Sequence, residues 1–226
     1  SVFNTLLYTI IASAIKFAIG LYLALLLNRH MPFKAMIRAI VLIPFIVPTV
    51  LSAIAFWWIY DAQFSIISWS LIKLGLITQN INFLGDTDWA RASVIFANIW
   101  RGVPFFAISL LAGLQTISPD LNEAAAIDGA RPWQRFWYIT WPLLLPVTMV
   151  VMLFSVIQTF ADFQIVYVMT GGGPANATHL FATYAYQLGV GTGLLSQGAA
   201  VSLAMFPILL LIVIIQLLYI RRVEVR

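Results

Sequence analysis

The sequence predicts an all-α membrane protein, a bundle of helices that crosses the bilayer several times. Of its 226 residues, 62% are hydrophobic and only 9% are charged, whereas a soluble domain carries about 25% charged residues. Five stretches are apolar over the roughly 20 residues that a transmembrane helix needs. These are residues 5–27, 39–60, 92–114, 143–169 and 199–220. Neither a tandem repeat nor a low-complexity linker divides the chain, so we expect residues 1–226 to form one membrane domain.

Basic residues predict the orientation of these spans. They follow the first stretch, separate the third from the fourth and follow the fifth: Arg29, Lys34, Arg38, Arg131, Arg135, Arg221, Arg222 and Arg226. Five spans place all eight on one side, which the positive-inside rule assigns to the cytoplasm. Counting residues 64–84 as a sixth span would separate them, so we expect an amphipathic helix there, lying on the outer surface. The amino terminus is then outside, and we expect a further helix upstream of Ser1.

A short polar segment interrupts the apolar sequence between the third and fourth spans. Ser118 is a good N-cap, Pro119 suits the first helical position, and Ala124 to Ala126 favour a helix. Gly129 suits the left-handed residue that ends a helix, and Pro132 can begin a second short helix. We therefore predict helix, tight turn and helix.

Several functional classes are excluded by residues that the sequence lacks or separates. It has no Cys, and His30 and His179 stand far apart, which argues against a metal site. It has no Gly-x-x-x-x-Gly-Lys-Ser/Thr sequence for binding nucleotide phosphates. The only acid well inside a span is Asp162, so an enzyme active site is not expected. A net charge of +4 without a basic run gives no reason to expect nucleic-acid binding.

The polar segment carries a longer motif. Glu123-Ala124-Ala125, Gly129, Ile139 and Pro142 stand at fixed spacing, and this pattern resembles the signature of permease subunits of binding-protein-dependent ATP-binding cassette (ABC) importers. The chain has Trp141 where that family usually has Leu. Further stretches, including Asn4-Thr5 and the Gly-Gly-Gly-Pro sequence at 171–174, look like the carbohydrate-type branch. They resemble the first permease of maltose-type and glycerol-phosphate-type pairs.

The resemblance implies a fold, partners and a mechanism. The fold is the ABC-importer permease bundle, whose usual six-helix core leaves the family's first helix missing here. Residues at about 116–142 form a cytoplasmic loop that couples the permease to ATPases. The coupling residues are Glu123, Ala124, Ala125, Asp128, Gly129 and Arg131. ATP and Mg²⁺ are held by two partner ATPase subunits, and this chain holds no cofactor. A second homologous permease completes a heterodimer, and an extracytoplasmic binding protein delivers the solute. The location is the bacterial or archaeal inner membrane.

Polar and aromatic residues inside the spans are candidates for the solute path. Asn98 and Arg101 share one face of the third span, and Ser155, Gln158 and Asp162 share one face of the fourth. Interhelical hydrogen bonding without solute contact explains Gln158 and Asp162 equally well. Lys16 is placed to pair with Asp162.

Trp57 in the second span is a further path candidate, since its ring can stack on a sugar. Aromatic residues near span ends more often form an interfacial belt, which remains open for Trp57.

These observations favour an importer permease for a sugar, oligosaccharide or related polyol phosphate, working by alternating access. An ion-coupled secondary transporter would be expected to show repeated broken helices and intramembrane acids, of which only Asp162 is present. A membrane scaffold without transport would leave the spacing of the coupling motif unexplained.

Overall fold

The computed structural model describes residues 1–29 and 32–224, and these contain helices joined by turns and no strand. His30 and Arg226 lie outside the described residues, as does the side chain of Arg222. The helices are α1 Val2–Asn28, α2 Lys34–Ile46, α3 Thr49–Ile59, α4 Ile66–Lys73, α5 Thr87–Gln115, α6 Pro119–Ile127, α7 Pro132–Arg135, α8 Trp141–Phe160, α9 Gln164–Thr170, α10 Phe181–Tyr186 and α11 Leu195–Glu224. π-Helical turns, Phe136–Thr140 and Gln187–Gly191, follow α7 and α10. The predicted all-helical membrane fold is confirmed.

Four helical segments in the described residues are long and apolar enough to cross a bilayer. They are Val2–Asn28, Thr87–Gln115, Pro132–Thr170 and Leu195–Arg221. The bent pair α2–α3 raises the number to five if it counts as one span. The five predicted spans are therefore present, although two of them differ in form from the prediction.

Helices α1 and α5 pack side by side and run in the same direction. Lys16 contacts Asn98 and Gly102, and Gly20 lies against Phe106, so positions advance together along both helices. Gly20 lets the two backbones approach closely, because a Cβ atom there would overlap the Cβ of Phe106. Two spans of the same direction require one span between them, and α2–α3 is that span.

Helix α8 packs against the same pair in the opposite direction. Leu144, at its start, lies against Gly113 near the end of α5, whereas Thr159 near its end contacts Lys16 of α1. We call the end of the bundle that holds the α1 amino terminus the outer end, following the orientation predicted from the basic residues. Leu27, Leu114 and Leu144 then pack together towards the inner end.

The second predicted span is not one continuous helix. It is divided at Val47 and Pro48 into α2 and α3, which meet at an angle of 89°. Pro48 has no N–H to continue the helical ladder, and it disfavours helical geometry at the residue before it. Val47 accordingly has φ −64° and ψ 130°, which is extended backbone. Predicting a straight span over 39–60 was wrong at this point.

The fourth predicted span, residues 143–169, lies within the longer helical segment Pro132–Thr170, which is broken near its outer end. The chain stays helical from Pro132 through the π-turn into α8, and the main helix stops at Phe160. Ala161, Asp162 and Phe163 form a break before α9. The predicted second short helix after Gly129 is therefore the first turn of a long one.

The segment predicted as an amphipathic surface helix over 64–84 is helical only in α4. Ser65 caps this helix, and Gly75, at φ +71°, ends it. The remaining residues form turns up to Asp86, which caps α5 by accepting hydrogen bonds from the N–H groups of Asp88 and Trp89. The segment is not a span, as predicted, but the helix is much shorter than predicted.

The loop after α9 is bound to the starts of α1 and α5. Asn4 Nδ2 donates to the carbonyl oxygens of Asn176 and His179, at 3.1 and 3.3 Å. Arg91 Nε donates to the carbonyl of Ala177 at 3.0 Å. The His179 ring packs on Gly172, and burial lowers the pKa of His179, which favours the uncharged ring. These contacts hold the outer end of the bundle together.

We expect Gly20→Ala to destabilise the assembled protein, because the added methyl group overlaps Phe106 and forces α1 and α5 apart. Overpacking of this kind costs about 1–3 kcal/mol. The measurement is the thermal unfolding midpoint in detergent. Gly191→Ala is the matched control, since its nearest new contact is Gln187 Cγ at an ordinary 3.7 Å. Equal midpoints for the two variants would contradict the close packing of α1 on α5.

Candidate functional site

A polar network lies inside the bundle and joins α1, α5 and α8. Lys16 Nζ donates to Asn98 Oδ1 at 2.9 Å and to Thr159 Oγ1 at 2.6 Å. Asp162 Oδ2 accepts from Tyr8 Oη at 2.6 Å and from Asn98 Nδ2 at 3.0 Å. Asn98 therefore donates to the carboxylate with one end of its amide and accepts from the ammonium with the other.

The predicted direct pair between Lys16 and Asp162 is wrong. The only salt bridge in the described part of the chain joins Arg91 and Asp88, at the outer end. Lys16 and Asp162 are instead connected through Asn98, whose amide offers both a donor and an acceptor. An amide bridge keeps both charges hydrogen-bonded without bringing them into contact.

A cavity of about 270 Å³ opens beside this network. Its polar lining comes from α1, α3, α5, α8, the break after α8 and the start of α9: Lys16, Thr49, Asn98, Arg101, Ser155, Gln158, Thr159, Asp162 and Gln164. Phe45, Phe105 and Phe163 add ring surfaces. Convergent polar groups and aromatic faces in one concave site are typical of small-molecule binding.

The structure brings four of the five predicted path residues together. Asn98, Arg101, Gln158 and Asp162 all line this cavity. Trp57 does not: it lies on an exposed side of α3, edge-on to Trp58 with ring centroids 6.1 Å apart. An exposed position towards the outer end agrees with the alternative of an interfacial belt.

Sequence reasoning missed two members of the network, Tyr8 and Thr159. Thr159 stands four residues after Ser155, and its hydroxyl donates to Ser155 O at 2.6 Å while it accepts from Lys16 Nζ. Tyr8 stands eight residues before Lys16, so both lie on the same face of α1. A search for polar residues on the buried face of α1 would have found Tyr8.

The break between α2 and α3 lies at the cavity wall. Phe45 precedes the break and Thr49 follows it, and both line the cavity. Irregular backbone at membrane depth is tolerated where it lines a polar cavity. The position of the break is therefore consistent with the cavity being an aqueous or solute-containing space.

The predicted helix and turn around residues 118–131 are confirmed in detail. Ser118 Oγ accepts from Asp120 N at 3.3 Å, and Pro119 takes the first helical position. Gly129 has φ +83°, and its N–H donates to Ala126 O at 3.1 Å. Ala130 N donates to Ala125 O at 2.9 Å, which completes a Schellman motif.

Most residues of helix α6 are exposed, and none of them is buried. Ile127 is 87% exposed and Leu121 is 47% exposed. A nine-residue helix is marginal in water without a packing partner. The six predicted coupling residues are at this surface: Glu123, Ala124, Ala125, Asp128, Gly129 and Arg131. A short helix with no buried residue and two exposed aliphatic side chains has the character of a docking element.

Helix α6 is fastened to the helix that reaches the cavity. Arg135 Nη1 donates to the carbonyl oxygen of Asn122 at 3.3 Å, which ties α7 to α6. Gln134 Oε1 accepts from Arg131 N at 2.8 Å and secures the turn. From Pro132 the chain continues as helix to Phe160, past Ser155 and Gln158 in the cavity wall. The exposed loop and the cavity are therefore two ends of one helical unit.

Comparison with known families identifies this architecture. Residues 16–225 match the family described as the binding-protein-dependent transport system inner membrane component. The chain belongs to this family of ABC importer permeases. The family predicted from the coupling motif is thus confirmed, and membership favours an importer permease over an ion-coupled secondary transporter.

Individual permeases are similar over nearly the whole chain. The trehalose/maltose transport system permease MalF of Thermococcus litoralis is 37% identical over 96% of this chain and 72% of its own length. The sulfoquinovosyl glycerol transport system permease SmoG of Agrobacterium fabrum is 35% identical over 96% of this chain and 70% of its own length. Both relatives are named as permease proteins of transport systems.

A solved structure has the same fold. A chain of a bacterial ABC transporter involved in the import of the acidic polysaccharide alginate superposes with a TM-score of 0.87 at 25% identity. The match covers 97% of this chain and 77% of that one. The arrangement of helices described above is therefore that of an ABC importer permease.

We expect Asn98→Leu to destabilise the protein, because it removes one partner from both Lys16 and Asp162 while keeping a similar volume. A buried polar group left without its partner costs about 1–3 kcal/mol, and more when it is charged. The check is the thermal unfolding midpoint of the purified assembly. Asn80→Leu is the control, since Asn80 also makes two hydrogen bonds but at an exposed site. A midpoint for Asn98→Leu no lower than that of the control would contradict the network.

Proposed function

We propose that this chain is the permease subunit of an ATP-driven importer that moves a sugar, oligosaccharide or related polyol phosphate inward by alternating access. The observation that carries the proposal is the continuous helical unit from Pro132 to Phe160. One end of this unit is tied to an exposed helix of docking character, and the other end lines a polar cavity inside the membrane domain. A force applied to the first end is transmitted to the second.

The coupling step takes place at α6. A cleft on a partner ATPase receives this helix, covers Ile127 and Leu121, and contacts the polar residues Glu123, Asp128 and Arg131. ATP and Mg²⁺ are bound and ATP is hydrolysed on two such ATPase subunits, not on this chain. When the ATPases close, α6 and α7 move together because Arg135 bonds to Asn122. Helix α8 moves with them.

Movement of α8 changes the cavity. Gln158 and Thr159 are carried on α8, whereas Asn98 and Arg101 are carried on α5. A relative shift of the two helices widens the cavity towards one end of the bundle and narrows it towards the other. The break between α2 and α3 absorbs part of the shift, since a helix interrupted by Pro48 bends more readily there than elsewhere.

Partner proteins complete the pathway. A second, homologous permease forms a heterodimer with this chain and closes the open side of the cavity. An extracytoplasmic binding protein releases the solute at the outer end, at loops that include residues 66–84 and 171–196. The family description supports both a binding protein and an inner-membrane location. None of the 18 most hydrophobic consecutive residues of α11 is buried. This exposed apolar surface suits contact with lipid or with the second permease.

The carbohydrate class rests on the relatives and on the cavity lining. The similar permeases are named for trehalose/maltose and sulfoquinovosyl glycerol, and the similar structure for alginate, all of which contain sugar or glycoside units. The cavity offers amides and hydroxyls for sugar hydroxyl groups, including those of Gln158, Gln164 and Ser155. The rings of Phe45 and Phe105, stacked at 6.2 Å, add an apolar wall.

We expect Gly129→Pro to uncouple ATP hydrolysis from uptake. Proline cannot adopt the φ of +83° found at this position, and it lacks the N–H that donates to Ala126. The measurement compares ATP hydrolysis and solute uptake by the complete transporter in proteoliposomes. Hydrolysis should persist while uptake falls to background.

Gly129→Asn is the matched control at the same position. Asparagine tolerates the left-handed conformation and keeps the N–H group, so this variant should retain most of the uptake. Uptake by Gly129→Pro at the wild-type rate would argue decisively against coupling through this turn.

We expect solute-loaded binding protein to stimulate ATP hydrolysis by the complete transporter for at least one carbohydrate. The panel contains mono-, di- and oligosaccharides, uronates and glycerol phosphates. Uptake into proteoliposomes is measured either with ATP inside them or with an imposed ion gradient and no ATP. ATP-dependent uptake of a carbohydrate supports the proposal. Uptake driven by the ion gradient alone would overturn it, and an intact complex that no carbohydrate stimulates would overturn the carbohydrate class.

A further inference from the structure

The charges in the cavity do not balance. Among the described residues that line it, three side chains carry a formal charge, Lys16, Arg101 and Asp162. Two cations against one carboxylate leave one positive charge in excess. A charged group inside a membrane domain is costly unless it is paired, hydrated or placed in a cavity that serves it. The excess charge therefore needs an explanation.

Two of the three charges already have partners within the chain. Asp162 Oδ2 accepts from Tyr8 and Asn98, and its Oδ1 accepts from Ile165 N at 3.4 Å. Lys16 donates to Asn98 and Thr159. Because Asn98 joins the two, Lys16 and Asp162 form one network that is close to neutral as a whole. The positive charge in excess is that of Arg101.

Arg101 stands apart from this network. Its Nε atom is buried and has no hydrogen-bond partner, and the guanidinium forms no salt bridge with any acid in the described part of the chain. The side chain is partly buried and lines the cavity from α5, one helical turn before Phe105. Its planar fork of donors fits two oxygens of a carboxylate, phosphate or sulfonate side by side.

We propose that the solute carries an anionic group, and that Arg101 binds it in the cavity. The inference rests on the proposed function and narrows it: the solute class is an acidic carbohydrate or a phosphorylated or sulfonated polyol, not a neutral sugar. The anion supplies the missing charge at Arg101, and Gln158, Gln164 and Ser155 hydrogen-bond to the hydroxyl groups. Arg101 is thus a residue that determines specificity.

The cavity is suited to such a solute in its other features as well. Hydroxyl-bearing solutes need both donors and acceptors, which the side-chain amides of Gln158 and Gln164 provide. The carboxylate of Asp162 does not oppose an anion strongly, since its oxygens are engaged by Tyr8, Asn98 and the backbone of Ile165. Its charge is further offset by Lys16 through Asn98.

The experiment uses solute pairs that differ in charge and little else. The complete transporter, with its binding protein, ATPases and second permease, is reconstituted in proteoliposomes. Uptake and ATP hydrolysis are measured with glucose against glucuronate, glucose against glucose 6-phosphate, and glycerol against glycerol 3-phosphate. We expect the anionic member of at least one pair to be taken up and the neutral member not.

Variants at Arg101 then attribute this preference to the permease, since the binding protein is the same throughout. R101Q should lower uptake of the anionic solute about tenfold to 100-fold, as expected for loss of a hydrogen-bonded charge pair. R101K keeps the positive charge but not the planar fork of donors, so uptake of the anionic solute should fall less than in R101Q. R38Q is the matched control: Arg38 also has buried nitrogens without partners but lies on α2 and does not line the cavity. R38Q should leave the preference for the anionic member of each pair unchanged.

Each outcome decides the inference. Preference for the anion that R101Q abolishes and R38Q leaves intact supports it. ATP-driven uptake of a neutral sugar that R101Q does not reduce overturns it and leaves the proposed function standing; the charge of Arg101 is then balanced by an acid of the second permease. If the R101Q transporter does not assemble, the wild-type preference for the anionic solute and the uptake of that solute by R101K test the inference instead. An intact complex that none of the anionic solutes stimulates overturns this inference alone, whereas uptake driven by an ion gradient without ATP overturns the proposed function with it.

Discussion

The polar interior of this protein depends on the hydrogen bonds of the Asn98 side-chain amide. Hydrocarbon supplies no hydrogen bonds, so a charge inside the membrane must find its partners in the protein or in a cavity that it lines. Asn98 serves the ammonium of Lys16 and the carboxylate of Asp162 at once, and so fixes α1 and α8 relative to α5. The close approach of these helices depends on small residues elsewhere, at Gly20 and Gly113. Polar bonds set the register of the helices, and small residues set their separation.

The two ends of α8 are held in different ways, and this difference suits a moving part. Towards the inner end, Leu144 packs into the space left by Gly113, a contact that depends on shape. Towards the outer end, Thr159 and the residues after it are held by directional hydrogen bonds. Hydrogen bonds can exchange partners with water or solute at small cost, whereas a packed side chain cannot move without leaving a void. The cavity lies beside the outer part of α8, where the contacts are hydrogen bonds that can exchange partners.

The local signals in the sequence were sufficient for much of the fold and for the exposed loop. Ser118, Pro119 and Gly129 each act through backbone geometry that depends only on near neighbours, and all three lie as predicted. The length of a membrane span is set by the thickness of the bilayer, so each span can also be recognised from its own stretch of sequence. The long-range pairing was harder. The polar face of α8 was predicted correctly. Which side-chain atoms meet depends on how far α1, α5 and α8 are shifted along one another, and the sequence does not show this shift. The bridging of Lys16 and Asp162 by Asn98 was therefore missed.

Two local features were also missed, for different reasons. The π-turn at Phe136–Thr140 has no sequence signature, since it adds one residue to an otherwise regular helix. The break at Pro48 had a signature, but prolines within membrane spans commonly bend a helix without dividing it. What distinguishes Pro48 is the extended backbone of Val47 before it, which divides the helix instead of bending it. Trp57 was chosen for its chemistry, and its direction on α3 could not be known before the break was.

The bend between α2 and α3 has a consequence for how the chain enters the membrane. With 13 and 11 residues, the two halves are only about 20 and about 16 Å long, and neither spans the roughly 30 Å of hydrocarbon. A newly made segment of this kind cannot be released into lipid by itself, because the backbone groups freed at the break would have no partners. Both halves pack on α5, which is synthesised later. Biogenesis of the second span is therefore tied to the arrival of the third.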